Sequence, residues 1–98
     1  MESESGLLSA PESHPALPGH FPGRPIVPGV VILDLLVEEW RRRRPDNPVR
    51  GLRKMKFIAM LAPGQEFAVT WGEVRDGRVS FTAERGGKSL ATGQFVLA

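Results

Sequence analysis

The reading of this chain turns on residues 18–45, PGHFPGRPIVPGVVILDLLVEEWRRRRP. Pro28 suits the first turn of a helix, where its missing N–H costs nothing, and Pro45 blocks continuation, so the spacing predicts one helix over 29–44 of about four turns. Its first half is apolar nearly all round, which predicts a helix embedded in the core, with Arg41 to Arg44 leaving the core at the end where cations suit the helix dipole. Upstream, Pro11, Pro15, Pro18, Pro22, Pro25 and Pro28 with Gly19, Gly23 and Gly29 exclude a regular helix or central strand over 11–29. Prolines fix φ while glycines admit close backbone approach, so this is a stiff loop able to hold a side chain in a defined place.

From Gly51 the apolar period changes to two. Met55, Phe57, Ala59 and Leu61 would share one face, then Phe67, Val69 and Trp71, then Val79, Phe81 and Ala83, and finally Ala91, Phe95 and Leu97. Asp76-Gly77 and Gly86-Gly87 read as hairpin turns, and Pro63-Gly64 divides the first pair of strands. Three or four antiparallel strands therefore follow one helix, with a further weak strand at 6–10. No internal repeat, low-complexity tract or heptad pattern accompanies them. Ninety-eight residues, 41% hydrophobic and 24% charged, make one domain over 1–98 and exclude a two-domain enzyme.

The absence of cysteine rules out a disulfide framework, a thiolate nucleophile and sulfur-ligated metal, and permits a reducing, cytoplasmic location. The acidic start, MESESGLLSAPES, is unlike a secretory signal, and no apolar run approaches the roughly 20 residues of a membrane span. A net charge of +2 conceals a segregation. Residues 1–40 hold six acids against Arg24, whereas 41–56 hold eight bases against Asp46, a local charge of +7. Such a patch calls for an acidic partner.

Two residues stand out chemically. Asp34 has Val30, Val31, Val37 and Glu38 three or four positions away, so its carboxylate is either buried on an aliphatic face and in need of a partner, or on a half-buried helix and facing water. His20 lies in the stiff loop, where catalysis and an ordinary structural role are both open; His14 has less local constraint. Two histidines with no neighbouring carboxylate ligands make a metal site improbable by spacing. Glu38 and Glu39 read as a solvated face beside the arginines, and Trp40 and Trp71 as core or interface aromatics. Phosphate-loop, GxSxG, dinucleotide and HExxH motifs are all missing.

The run His20-Phe21-Pro22-Gly23-Arg24-Pro25-Ile26-Val27-Pro28-Gly29-Val30-Val31-Ile32-Leu33-Asp34 resembles the signature HFPGxPxxPGVxxx(E/D) of the 3-hydroxyacyl-acyl-carrier-protein dehydratases of the FabA/FabZ group. Lys56-Phe57 and Pro63-Gly64 are similar to that family's KF and PG elements. The acid is Asp34, as in the FabA branch, whereas the HFPG wording is that of FabZ; with the short N-terminus and His14-Pro15, the chain looks most like the small ApeI-type dehydratases. The resemblance implies an α+β hot-dog fold, an antiparallel sheet wrapped around one central helix, dimerised with sites at the subunit interface. It implies His20, Asp34 and Gly29 as catalytic residues, His20 of one chain facing Asp34 of the other. Phe21, Pro28, Val30 and Phe57 are the expected substrate contacts, with Val31 and Leu33 as core or tunnel wall. Arg41, Arg43, Arg44, Arg53 and Lys54 become a docking surface for acyl carrier protein, whose phosphopantetheine arm carries the substrate, and no cofactor or metal is expected. A homodimer or higher oligomer, a heterodimer with a related subunit, and other thioester activities such as isomerisation or hydrolysis remain open. Nucleic-acid binding by the basic patch is the least favoured alternative, since it lacks interleaved exposed aromatics.

Overall fold

The computed structural model describes residues 4–9 and 27–98. The elements run β1 (Glu4–Ser9), α1 (Gly29–Arg43), β2 (Val49–Phe57), β3 (Glu66–Trp71), β4 (Arg78–Arg85) and β5 (Lys88–Leu97). All pairings are antiparallel, in the order β1-β3-β4-β5-β2. The weak strand expected at 6–10 is β1, beginning two residues earlier and pairing Glu4 to Ser9 with Trp71 to Glu66.

Both expected tight turns are present. Asp76 and Gly77 have φ of 53° and 70°, and Gly86 and Gly87 58° and 79°, the paired left-handed conformations whose twist matches that of the flanking strands. Arg85 pairs with Lys88 and Arg75 with Arg78 across them. Pro63-Gly64 separates β2 from β3, as expected. β2 and β3 do not form a hairpin, because β2 pairs with β5 at the opposite edge of the sheet. Beyond Phe57 the chain still follows β5, through Ile58 and Ala59 N–H groups donating to the Leu90 carbonyl at 2.7 and 3.2 Å. It then crosses to β3 at the far side, burying Leu61, whose carbonyl accepts from the Val27 N–H at 2.7 Å.

The core lies between α1 and one face of the sheet. Phe67, Val69, Trp71, Val79, Phe81, Ala83, Ala91, Phe95 and Leu97 are buried, as the period-two reading predicts. Trp71 is its hub, with ring centroids 5.0 Å from Trp40, 5.8 Å from Phe81 and 5.9 Å from Phe95. The Met55 to Leu61 set departs from expectation: Leu61 is buried and Met55 packs on the core, but Phe57 and Ala59 are exposed, because β2 is an edge strand whose end is only partly covered among the described residues.

The helix also differs from its expected embedding. Val31, Ile32, Leu36, Glu39 and Trp40 are buried, whereas Val30, Asp34 and Glu38, at helical spacing of four, form an exposed stripe. One sheet covers only one side of a helix. Glu39, expected on the solvated face, is instead buried, accepting from Arg43 Nε at 2.8 Å and paired with Arg42 at 3.3 Å. The basic helix end thereby supplies the partners that make burial of this carboxylate tolerable.

Gly93 marks where the sheet is tightest. A Cβ there would stand 2.6 Å from Phe81 Cζ and 3.1 Å from Met55 Sδ. The Phe81 ring is itself buried and cannot swing away. Gly93→Ala should therefore cost about 1–3 kcal/mol through overpacking, read as an earlier midpoint in urea with unchanged slope.

Candidate functional site

Pro28 begins the site. With φ −59° and ψ 147° it caps α1 without a side-chain hydrogen bond, and its carbonyl accepts from Val31 and Ile32 at 3.0 and 3.3 Å. The N–H groups of Gly29 and Val30 precede any intrahelical acceptor, so the positive end of the helix dipole is presented here with no acidic residue in the first turn. The Phe57 ring lies directly over Gly29, where a Cβ would fall 2.7 to 3.0 Å from Cζ, Cε2 and Cε1. Only glycine lets the ring and the backbone approach so closely.

Beside this contact is a groove of about 280 Å³ lined by Val27, Pro28, Gly29, Ile32, Phe57, Ala59 and Met60. Its walls are apolar, with the helix N-terminus as the polar feature at one end. Of the expected substrate contacts, Pro28 and Phe57 line this groove, whereas Val30, 60% exposed, does not. Val31 is core and Leu33 packs against it. Ala59 and Met60 went unrecognised in the sequence, where period two assigned Ala59 to the core; the signal was the unbroken apolar run 57–61 at the strand's end.

Asp34 is exposed. Five residues of helix separate it from Gly29, a rotation of about 140° at 3.6 residues per turn. A single chain consequently does not bring Asp34 to its own groove. His20 and Phe21 lie outside the described residues, as does His14.

The basic segment divides into two parts. At the helix end, Arg41 reaches Glu38 at 2.6 Å, and this hydrogen bond and charge raise its pKa above the ordinary guanidinium value. Arg43 is held by Glu39, and Arg44 stands 5.7 Å over the Trp40 ring, so these two are structurally engaged. Trp40 in turn donates its Nε1–H to the Asn47 carbonyl at 2.9 Å, fixing the turn after the helix. Arg50, Arg53, Lys54 and Lys56 are exposed on β2, with Lys54 at φ 56° inside a break of register. Among the described residues, no three His, Cys, Asp or Glu side chains gather as a metal site, and no helix is long and apolar enough to cross a membrane.

Comparisons with known proteins agree with this architecture. A chain of the dehydratase heterocomplex ApeI:P from Xenorhabdus doucetiae superposes with a TM-score of 0.79 at 20% identity, over 98% of this chain and 87% of that one. A mutant of the fluoroacetyl-CoA-specific thioesterase FlK superposes at 0.67 with 15% identity, over 99% and 85% of the chains. The fold is the hot dog. In sequence, the chain is 32% identical over 98 residues to a 3-hydroxyacyl-[acyl-carrier-protein] dehydratase FabZ from Streptococcus pneumoniae, covering 88% of this chain and 70% of that protein. It is 26% identical over 103 residues to the FabZ of Syntrophomonas wolfei, covering 95% of this chain and 65% of that protein. The chain thus spans about two thirds of the length of these relatives. The ApeI-like family, described as ApeI dehydratase, matches residues 3–94, and the chain belongs to it.

Proposed function

We propose that the chain supplies a dehydratase site for 3-hydroxyacyl thioesters carried on acyl carrier protein, and that two chains are needed to complete it. The observation that carries this reading is the division of the site: the apolar groove and the helix N-terminus lie at Gly29, while Asp34 is exposed on another face of the same helix. A second chain resolves the division by bringing its acid to the first chain's groove. His20 removes a proton from the carbon beside the thioester, the C3–O bond breaks, and Asp34 of the other chain protonates or orients the departing hydroxyl, which leaves as water. The Gly29 N–H donates to the thioester oxygen as negative charge develops there, supported by the helix dipole. The thioester itself acidifies the proton, so the elimination calls for no metal or redox cofactor. Pro28, Phe57 and the groove hold the acyl chain, with Phe21 and Val30 contributing from the loop and the open helix face.

The test is dehydration of 3-hydroxyacyl carrier protein by the purified chain beside His20→Ala and Asp34→Asn. Activity surviving both substitutions overturns the mechanism. Inactivity of all three proteins favours the reading in which a different subunit completes the site, which the heterocomplex architecture of the ApeI:P neighbour makes a specific alternative.

Carrier docking belongs with the helix end. Of its four arginines, Arg41 and Arg42 have side chains about 70% exposed, at 68% and 72%. Reversing both to glutamate should raise KM for carrier-bound substrate at least threefold and spare a short N-acetylcysteamine thioester. Equal effects on the two substrates count against docking.

A further inference from the structure

Two polar cavities adjoin on the face of the sheet turned away from α1. One, of about 360 Å³, is lined by Glu73, Arg75, Asp76, Arg78, Ser80 and Gln94. The other, of about 290 Å³, shares Ser80 and Gln94 with it and continues over Thr82 and Thr92 to Lys54. Ser80 pairs with Gln94 and Thr82 with Thr92, alternating along their strands with the buried Val79, Phe81, Ala83, Ala91 and Phe95. The resulting trough is therefore separated by the sheet from the core and from the apolar groove at Gly29. Three of its features are unfavourable to the chain alone. Arg75 and Arg78 exchange backbone hydrogen bonds at 2.9 and 3.0 Å across the Asp76-Gly77 turn, which sets two like charges directly opposite one another. Glu73 reaches Arg75 at 3.8 Å, and Arg78 has no ion-pair partner among the described residues. On β2, Lys54 and Met55 together oppose Gly93, a bulge in which Met55 packs on the core while Lys54, at φ 56°, adopts a conformation rare for side chains and lines the trough. Where the two cavities join, Gln94 Oε1 is buried without a hydrogen-bond partner among the described residues.

We propose that the trough binds a phosphate monoester of a hydroxylated ring, a sugar phosphate or a nucleotide, with its phosphate at Arg75 and Arg78 and a ring hydroxyl donating to Gln94 Oε1. An anion between the two guanidinium groups removes their mutual repulsion and accepts charge-assisted hydrogen bonds from both. Arg53, opposite Gln94, and Lys56, opposite Thr92, stand on the same face of the sheet, so with Lys54, Arg75 and Arg78 five cations face two acids, Glu73 and Asp76. The excess is positive and suits an anionic ligand. A buried amide oxygen only accepts, so that ligand must also carry a donor. Glu73 and Asp76 take further hydroxyl donors, and the Ser80, Thr82 and Thr92 hydroxyls can donate or accept. A bare anion would meet the cations and leave these acceptors unused. The cavity volumes stand near the lower end of the range for small-molecule sites, about 300–1,000 Å³, in keeping with one sugar ring and its phosphate.

The experiment needs no thioester, so its result is independent of the dehydration assay. The purified chain is titrated with ribose 5-phosphate, AMP, ribose and inorganic phosphate, and binding is followed by amide chemical shifts. Ribose 5-phosphate should bind with a Kd below about 1 mM and move the amides of residues 75–80 and 92–95, with ribose and inorganic phosphate each about tenfold weaker. Tighter binding of AMP than of ribose 5-phosphate assigns a nucleotide, and AMP binding no tighter assigns a sugar phosphate; both sustain the proposal. Gln94→Met keeps the length of the side chain and removes the unmet acceptor. It should weaken ribose 5-phosphate about tenfold while raising the melting temperature of the ligand-free chain. Arg78→Gln, at an exposed position, should weaken the same ligand and leave melting unchanged. No binding, shifts confined to other parts of the chain, inorganic phosphate binding as tightly as the ester, or a folded variant binding like the wild type overturns the proposal.

Discussion

Asp34→Asn should lower kcat on 3-hydroxyacyl carrier protein by about 10²–10⁴-fold, the range for loss of a positioned acid–base group, while leaving the fold intact. The two halves of this expectation have separate causes. Asparagine keeps the shape of the side chain and removes its ability to give up a proton, so under the proposed mechanism the departing hydroxyl loses its proton source. Stability is spared because Asp34 is exposed in the chain and belongs to no ion pair or ring contact among the described residues. Exposed changes of this kind fall within about 0.5 kcal/mol, equivalent to a melting shift under about 4 °C for a domain of this size. A large melting shift together with lost activity would mean that Asp34 holds structure. Full activity would remove it from the reaction. The stability measurement is made on the chain by itself and the activity measurement on whatever assembly is active, so the two results do not confound each other.

Trp71→Ala has the opposite profile, with the largest stability loss expected anywhere in the chain. Its ring is fully buried and contacts Trp40, Phe81 and Phe95, joining the helix to three strands. Truncating a buried tryptophan costs about 3–5 kcal/mol, against total stabilities of about 5–15 kcal/mol for natural domains. The variant should be largely unfolded or melt far earlier, read by calorimetry or urea denaturation. Trp71→Phe separates packing from hydrogen bonding. Among the described residues the indole Nε1–H is buried without a partner, so phenylalanine removes an unmet donor as well as volume, and part of the packing loss is offset. If Trp71→Ala cost less than about 1 kcal/mol, the core centred on this ring would be wrong.

The fold divides between a helix end and a strand edge a basic segment that looks uniform in the sequence. Glu39 explains why the run could not be resolved from its letters. A carboxylate two positions before four arginines reads as a surface charge pair, and only the rotation of the helix onto the sheet turns it inward and recruits Arg43. Arg44 similarly becomes a cover for Trp40. Of the expected docking residues, Arg41 is exposed at the helix end beside Arg42, while Arg53 and Lys54 lie on a strand edge.

By itself the sequence determined the local structure. Pro28 and Pro45 bracket the helix, Asp76-Gly77 and Gly86-Gly87 make the turns, and alternating residues from Phe67 to Leu97 fill the sheet's inner face, because φ restriction, left-handed glycine turns and period-two burial act over a few neighbouring residues. The motif from His20 to Asp34 likewise pointed to the family without any coordinates. Tertiary structure decided what depends on residues far apart. It placed β2 against β5 instead of β3, since register and edge position follow from which strands can share a core. It also turned Asp34 away from the groove at Gly29, which no spacing rule reveals until the helix has a sheet on one side only. That single-sided cover is the physical reason the acid and the groove face different directions in one chain.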